Sequence, residues 1–308
     1  MMKKMLFAVT LLMASCNNEV EELVVEPASH PIFHAYLEEA DTRTYLDEDI
    51  RLRWTADDRI TLFEGTTRNK QYKFMGETGD NAGEFEFVKA GFGTGNDLDR
   101  FYAVYPYVAA TKYTYGSGGA ADYISYTFPA TQTYVAGSVG LGANPMVAVT
   151  ADLEDFDLRF RNVGSYLLVK LYGAEQTVGS ISMTTIGGEP LAGKAAIYPV
   201  YGSTPSMTML DSNATVTLNC GDGGIAIGTT KETATPFWIV IPTFTATQGI
   251  RVTVNGYYGG SQTYEVASEI VFNRNKYKTL TRELAIPSSN TNVGVDGWGD
   301  GENVEGEI

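Results

Sequence analysis

Gly249-Ile-Arg-Val-Thr-Val-Asn255 and Ser261-Gln-Thr-Tyr-Glu-Val266 decide the fold class. In the first stretch Ile250, Val252 and Val254 point one way, while Arg251, Thr253 and Asn255 point the other. A period of two marks a strand with one buried face. Gly259-Gly260 lies between the stretches, and glycine supplies the positive φ that a tight hairpin turn wants. Just upstream, Phe237-Trp-Ile-Val-Ile241 is apolar throughout and stops at Pro242. Such a run predicts a central strand covered on both faces.

The same grammar extends to both ends of the chain. Residues 157–171 open a second block in which Leu167, Val169 and Leu171 share a face, and Lys276-Tyr-Lys-Thr-Leu280 makes a last strand. In the first half, Ile32-Phe-His-Ala-Tyr-Leu37, Arg59-Ile-Thr-Leu-Phe63, Gln71-Tyr-Lys-Phe74 and Met146-Val-Ala-Val-Thr150 read as strands. Arg100-Phe-Tyr-Ala-Val-Tyr105 and Tyr123-Ile-Ser-Tyr-Thr-Phe128 each run into a proline, which cannot donate to a ladder and suits a strand end. No segment carries apolar residues at helical spacing with caps. Short strands with turns every 8 to 12 residues, as a rough interval, indicate stacked sheets. The expectation is an all-β chain with β-sandwiches over 32–153 and 154–286. An acidic, Pro-punctuated linker at 16–31 precedes them, and a Gly-rich acidic tail at 287–308 follows. The tail holds no Lys or Arg, and reads as a flexible segment or as a strand without a partner in its own chain.

Composition narrows the partners. The 308 residues include 19 Tyr, 14 Phe and 33 Gly, a bias toward pleated surfaces and turns. The formal net charge of −15 repels phosphate backbones, so nucleic acid is excluded as a partner. Anionic lipid repels it too, so attachment to a membrane needs a covalent anchor.

MMKKMLFAVTLLMASC supplies one. Lys3 and Lys4 precede an apolar stretch, Met5 to Met13, and the small residues Ala14-Ser15 stand before Cys16. Residues 1–15 read as a secretory signal too short to span a bilayer. The junction resembles the bacterial lipobox, with Met13 where Leu is commoner. The resemblance implies that Cys16 becomes the lipid-modified first residue, anchored by palmitate-type acyl chains in the outer membrane; the other reading is an ordinary signal with an incidental Cys. Asn17-Asn-Glu-Val-Glu-Glu22 resembles a surface-display signal and serves equally as a solvated tether. Cys220 then has no partner for a disulfide. It alternates with Val216 and Leu218, as a small buried hydrophobe does.

Residue chemistry for catalysis is sparse. His30 and His34 are the two histidines, and in extended chain they stand about 13 Å apart, too far to share an ion unaided. Apart from His34 in the first strand the folded blocks hold no histidine, so a Ser-His-Asp or Cys-His arrangement elsewhere in them lacks its base. Carboxylate-based hydrolysis stays open by residue type, although no spacing promotes one pair. Gly91-Phe-Gly-Thr-Gly95 and Gly221-Asp-Gly-Gly224 lack the Lys of a phosphate loop and read as turns. Asp296-Gly-Trp-Gly-Asp-Gly-Glu302 offers oxygens to calcium without the spacing of an EF-hand. The expectation is no enzyme, no cofactor and no metal. Trp238 belongs to the core, Trp298 lies on the tail, and Trp54 is either core or a platform for stacking on a glycan.

Several stretches together resemble the fimbrillin family of surface fimbrial subunits and fimbrillin-like lipoproteins. They are the lipobox at Cys16, Asp41-Thr-Arg-Thr44, and Arg53-Trp-Thr-Ala-Asp-Asp-Arg-Ile-Thr-Leu-Phe63. Leu158-Arg-Phe-Arg-Asn-Val-Gly-Ser-Tyr-Leu-Leu-Val169, Trp238-Ile-Val-Ile-Pro242 and Phe272-Asn-Arg-Asn-Lys-Tyr277 follow. Each is loose alone; their order covers most of the chain. The resemblance implies two tandem transthyretin-like β-sandwich domains, export as a lipoprotein, and assembly with other fimbrial subunits into a fimbrium (pilus). It also implies a cycle: an arginine-specific protease removes the first strand, and another subunit's terminal strand fills the groove. Arg43 is the matching cleavage position, with Arg51, Arg53 and Arg59 as fallbacks, and the strand from Ile32 to Leu37 would be the one removed. Val293, Val295, Trp298, Val304 and Ile308 are the donor-strand candidates. The tail is poorer in β-formers than an ideal donor, which leaves shaft, tip, anchor and accessory roles open. The rival reading is a lipid-anchored protein that binds host or bacterial surface glycan or protein, through Trp54 or exposed tyrosines.

Overall fold

The computed structural model describes residues 30–38, 45–46, 52–65, 69–91, 98–286, 293–297 and 304–307. Among these residues the protein is all-β, and a 3-10 turn at Lys231–Thr233 is its one helical segment. The expected class therefore holds.

Seven strands form a sheet that closes on itself. The order is Phe33–Leu37, Asp157–Asn162, Met146–Val149, Tyr102–Tyr105, Arg59–Phe63, Lys70–Phe74 and Ala82–Lys89, which returns to Phe33–Leu37. Large aromatics fill the interior: Phe33, Trp54, Tyr72, Phe74, Phe85 and Phe160 are each 1% exposed or less. A closed sheet leaves no edge, and bulky inward residues are what so narrow an interior needs. Asp157–Asn162, from beyond residue 153, is a full member of this sheet, so pairing runs across the junction of the two halves.

A four-stranded sheet follows, in the order Thr235–Ile241, Ser165–Tyr172, Lys276–Glu283 and Val304–Glu307. Its two faces serve two cores. Tyr166, Leu168, Trp238 and Val240 pack with the barrel aromatics. Leu167, Val169, Leu171, Phe237, Ile239 and Ile241 pack against the other side. The unbroken apolar run at 237–241 follows directly, because neither face meets water. The free edge of Thr235–Ile241 is capped by a side chain. Gln132 Nε2 donates to the Val240 carbonyl at 2.6 Å, and Val240 N donates to Gln132 Oε1 at 2.9 Å.

The second core is roofed by a sheet in the order Thr131–Thr133, Thr215–Asn219, Thr177–Thr185, Ile250–Gly256, Ser261–Val266 and Val293–Gly297. The hairpin that opened the sequence reading lies here, with Ile250 opposite Val266 and Val254 opposite Gln262. Its turn glycines, Gly259 and Gly260, have φ of 102° and 74°. The outer face is a threonine ladder. Thr253 meets Thr263 at 3.1 Å, Thr184 meets Thr215 at 3.0 Å, and Ser182 meets Thr217 at 2.9 Å. These cross-strand pairs explain the recurrence of Thr. A further sheet, Ser206–Met209, Gly193–Tyr198, Tyr123–Phe128 and Lys112–Thr114, covers Phe63, Val104 and Val147 on the barrel's outside.

The tail contributes two strands. Val293–Gly297 pairs parallel with Ser261–Val266, and Val304–Glu307 pairs antiparallel with Lys276–Glu283.

The double-sided burial is testable with neighbouring residues. Leu167→Ala and Leu168→Ala should each destabilise the chain by about 2–5 kcal/mol in urea titration. A loss under about 0.5 kcal/mol for either would mean that its face is open to solvent.

Candidate functional site

The segment that the family resemblance marks for removal, Ile32 to Leu37, contains the strand Phe33–Leu37, which occupies a defined seat. It pairs parallel with Asp157–Asn162, His34 opposite Asp157 and Leu37 opposite Phe160. It pairs antiparallel with Ala82–Lys89, Phe33 opposite Phe85 and Tyr36 opposite Ala82. Phe33, Ala35 and Leu37 point inward and are buried; His34 and Tyr36 point outward. Phe33 is the anchor. Its ring meets Tyr72, Phe101 and Phe156 edge-on, with centroids 5.3, 4.9 and 5.7 Å away. Outside, the Arg159 guanidinium lies 5.6 Å from the centre of the Tyr36 ring.

The seat ends in a charged clamp. Arg274 Nη1 and Nη2 donate to the two oxygens of Glu38 at 2.8 and 3.0 Å, and Arg161 Nη1 donates at 3.3 Å. This is the bidentate geometry in which guanidinium and carboxylate pair most strongly. Arg274 Nη1 also donates to the Asn162 carbonyl at 3.0 Å. Behind it lies a buried amide knot: Asn162 Nδ2 donates to Asn275 Oδ1 at 2.8 Å and to the Tyr166 hydroxyl, which donates to Asn144 Oδ1 at 2.9 Å. Burial holds the Tyr166 hydroxyl well above its ordinary pKa, so it remains a proton donor.

Of the residues singled out from the sequence, Trp54 needs correction as a glycan contact. It is fully buried, with Phe85, Phe160, Phe74 and Tyr105 around its ring at 5.1 to 5.6 Å. No face is left for a sugar, because the following turn folds it inward. Thr55 N donates to Asp58 Oδ2 at 2.7 Å, and the Tyr105 hydroxyl donates to Asp58 Oδ1 at 3.1 Å. The Trp-Thr-Ala-Asp-Asp stretch is thus a structural turn. Trp238 is in the core as expected. Val293, Val295 and Val304 lie in the two tail strands, paired in this structure with their own chain. Cys16, Arg43, Arg51, Trp298 and Ile308 lie outside the described residues. Arg53 and Arg59 lie in paired strands of the body.

His34 Nδ1 is 3.7 Å from Glu84, on the exposed face. Among the described residues no three His, Cys, Asp or Glu side chains gather as metal ligands. Glu38, Arg161 and Arg274 are the residues that sequence reasoning missed. The two arginines stand inside quoted motifs, Leu158-Arg-Phe-Arg-Asn and Phe272-Asn-Arg-Asn. Their shared carboxylate lies 123 and 236 residues away in sequence, where no local pattern can find it.

A second concavity of about 230 Å³ lies on the barrel's outside. Arg159 and Arg161 line it with Tyr201 and the turn from Pro199 to Pro205. Tyr201 is 48% exposed.

No protein-family model and no curated protein matches the chain. Solved structures that resemble it include ones described as cell adhesion and fimbrial proteins. One is a "putative cell adhesion protein" of Bacteroides ovatus, at 13% identity and TM-score 0.47, covering 83% of this chain and 93% of that one. Another, given the same description, is from Bacteroides uniformis, at 15% identity and TM-score 0.45, covering 82% and 93%. A third is the tip fimbrial protein Mfa3 of Porphyromonas gingivalis with C-terminal truncation, at 7% identity and TM-score 0.31, covering 84% and 97%. At such scores the functional reading rests on the chain's own residues.

Two outcomes check this description. Phe33→Ala should cost about 3–5 kcal/mol of stability in a denaturant titration, because three rings lose their contact. Cys220 should resist a thiol reagent in the native chain at pH 8 and react once it is unfolded, measured in a Cys16→Ser background. Burial pushes its thiol up to about 12 from 9.0. The folded form therefore keeps a proton that the unfolded form loses, and stability should fall as pH rises above 9.0.

Proposed function

We propose that the protein is a cell-surface fimbrial or adhesive subunit, exported as an outer-membrane lipoprotein through Cys16 and assembled by strand addition. One observation carries the reading. The first strand is a separate plug in an otherwise continuous sheet, with three inward residues in a hydrophobic seat and the Asp41-Thr-Arg-Thr44 stretch a few residues behind it. Cleavage after Arg43 would free residues 16–43 from the body. Its departure would unpair Asp157–Asn162 on one side and Ala82–Lys89 on the other, and uncover Tyr72, Phe85, Phe101 and Phe160. Unpaired backbone on both sides of an apolar floor is what a foreign strand needs in order to dock. The segments 32–153 and 154–286 supply the two modules of this subunit and share strands at their junction. The tail, with Val293, Val295, Trp298, Val304 and Ile308, is the donor. No residue has a catalytic role in this reading.

Arg43→Ala should abolish N-terminal processing and polymer at the cell surface. Mature chains recovered from the wild type should begin at Thr44. Normal polymer from the variant would reject the site, and a lipid-blocked Cys16 on polymerised chains would reject the cycle.

The concavity beside Tyr201 favours a second reading, a lipid-anchored glycan-binding protein. Arg159 and Arg161 would meet acidic sugar groups there, and Tyr201 would stack on a ring. Saturable binding on a polysaccharide panel, lost in Tyr201→Ala, is the expected result; unchanged binding removes the concavity from consideration.

A further inference from the structure

The clamp at the end of the seat belongs to two parties. Arg161 and Arg274 come from the body, and Glu38 comes from the strand that the proposed cycle removes. The three side chains are 34%, 21% and 18% exposed, so the charges meet in a partly dry place. There an unpaired cation is costly, and a matching carboxylate decides between partners more than added apolar contact does.

Arg274 is held ready for it. Asn275, with φ of 61°, donates its backbone N–H to the Gly164 carbonyl at 2.9 Å and so turns the chain directly after Arg274. Arg274 itself is tied to the Asn162 carbonyl. Neither tie involves residues 32–43, so both persist when the strand leaves.

The resident pattern is Ala35-Tyr-Leu37-Glu38: two inward residues at alternate positions, then an acid directly after the second. The tail repeats that spacing as Val293-Gly-Val295-Asp296, in a segment without Lys or Arg.

We infer that Arg161 and Arg274 select the incoming strand by its carboxylate, and that the strand they select is Val293–Asp296 of a second copy of this chain. In the seat, Val293 and Val295 take the places of Ala35 and Leu37, and Asp296 takes the place of Glu38. This rests on the strand-addition reading above and names its partner.

The test uses the full chain with a specific cleavage sequence in place of residues 40–44 and a dye on the first-strand fragment. After cleavage, unlabelled peptides compete for the seat and dye release is read. A peptide of residues 289–299 should displace the fragment, and its Asp296→Asn version should need roughly tenfold more peptide, the loss of one charge-assisted contact. The gap should close in Arg274→Gln and narrow in Arg161→Gln, each first shown to be folded by its thermal transition; Arg274→Lys should keep part of it. Equal displacement by both tail peptides overturns the selection and leaves strand addition standing. Displacement by a peptide of residues 31–40 but not by the tail overturns the tail as partner. Failure of both peptides sinks strand addition itself.

Discussion

The structure depends on two paired strands whose apolar residues face two cores at once. Ser165–Tyr172 and Thr235–Ile241 send alternate side chains into two different cores, and neither core closes without them. Between two cores a strand is apolar on both faces, as it is over Tyr166–Val169 and Phe237–Ile241, and the polar alternation of the solvent-facing strands is absent there. Its border needs protection as well, and Gln132 gives it by imitating a backbone group. Pro236 falls on the sheet's outer strand, the place where a residue without an N–H is tolerated. Where the sheet meets the barrel, the Asn162–Tyr166–Asn275 knot pairs polar atoms that would otherwise be stranded in the interior.

How much of this could be read beforehand depends on how local each signal is. The hairpin at 250–266 and the buried run at 237–241 were legible, because period and turn chemistry sit within a few residues of each other. Pro106 and Pro129 marked strand ends well: Tyr102–Tyr105 and Tyr123–Phe128 stop just before them. Thr177–Thr185 escaped notice because a bulge between Val178 and Ser180 shifts its phase, so its buried residues fall three apart before they fall two apart. The tail looked like a flexible or unpartnered segment, yet it carries two strands that pair with their own chain. Backbone pairing asks less of side chains than a core does. Trp54 could not be assigned from its neighbours, since its burial depends on strands that lie 20 to 106 residues further along. The clamp was illegible for the same reason, carried further.

In the proposed strand exchange, the seat of the first strand would combine two kinds of recognition. Its walls are backbone edges, and these accept any extended segment. Its floor is a set of aromatic rings, which accept any segment with the right alternation. Only its end would be particular, because the guanidinium groups of Arg161 and Arg274 ask for one charge at one place. Affinity and discrimination are thus set by different residues, and a change at the floor and a change at the clamp would not have the same effect.

The parallel pairing of His34 with Asp157 has a consequence for time. A chain that emerges from its N-terminus first delivers this strand long before its neighbour exists, and the carboxylate of Glu38 waits longer still for Arg274. Contacts so distant in sequence close slowly. The strand can lie beside Ala82–Lys89 early, but its other edge and its clamp are completed late, and until then the barrel stays open along one seam.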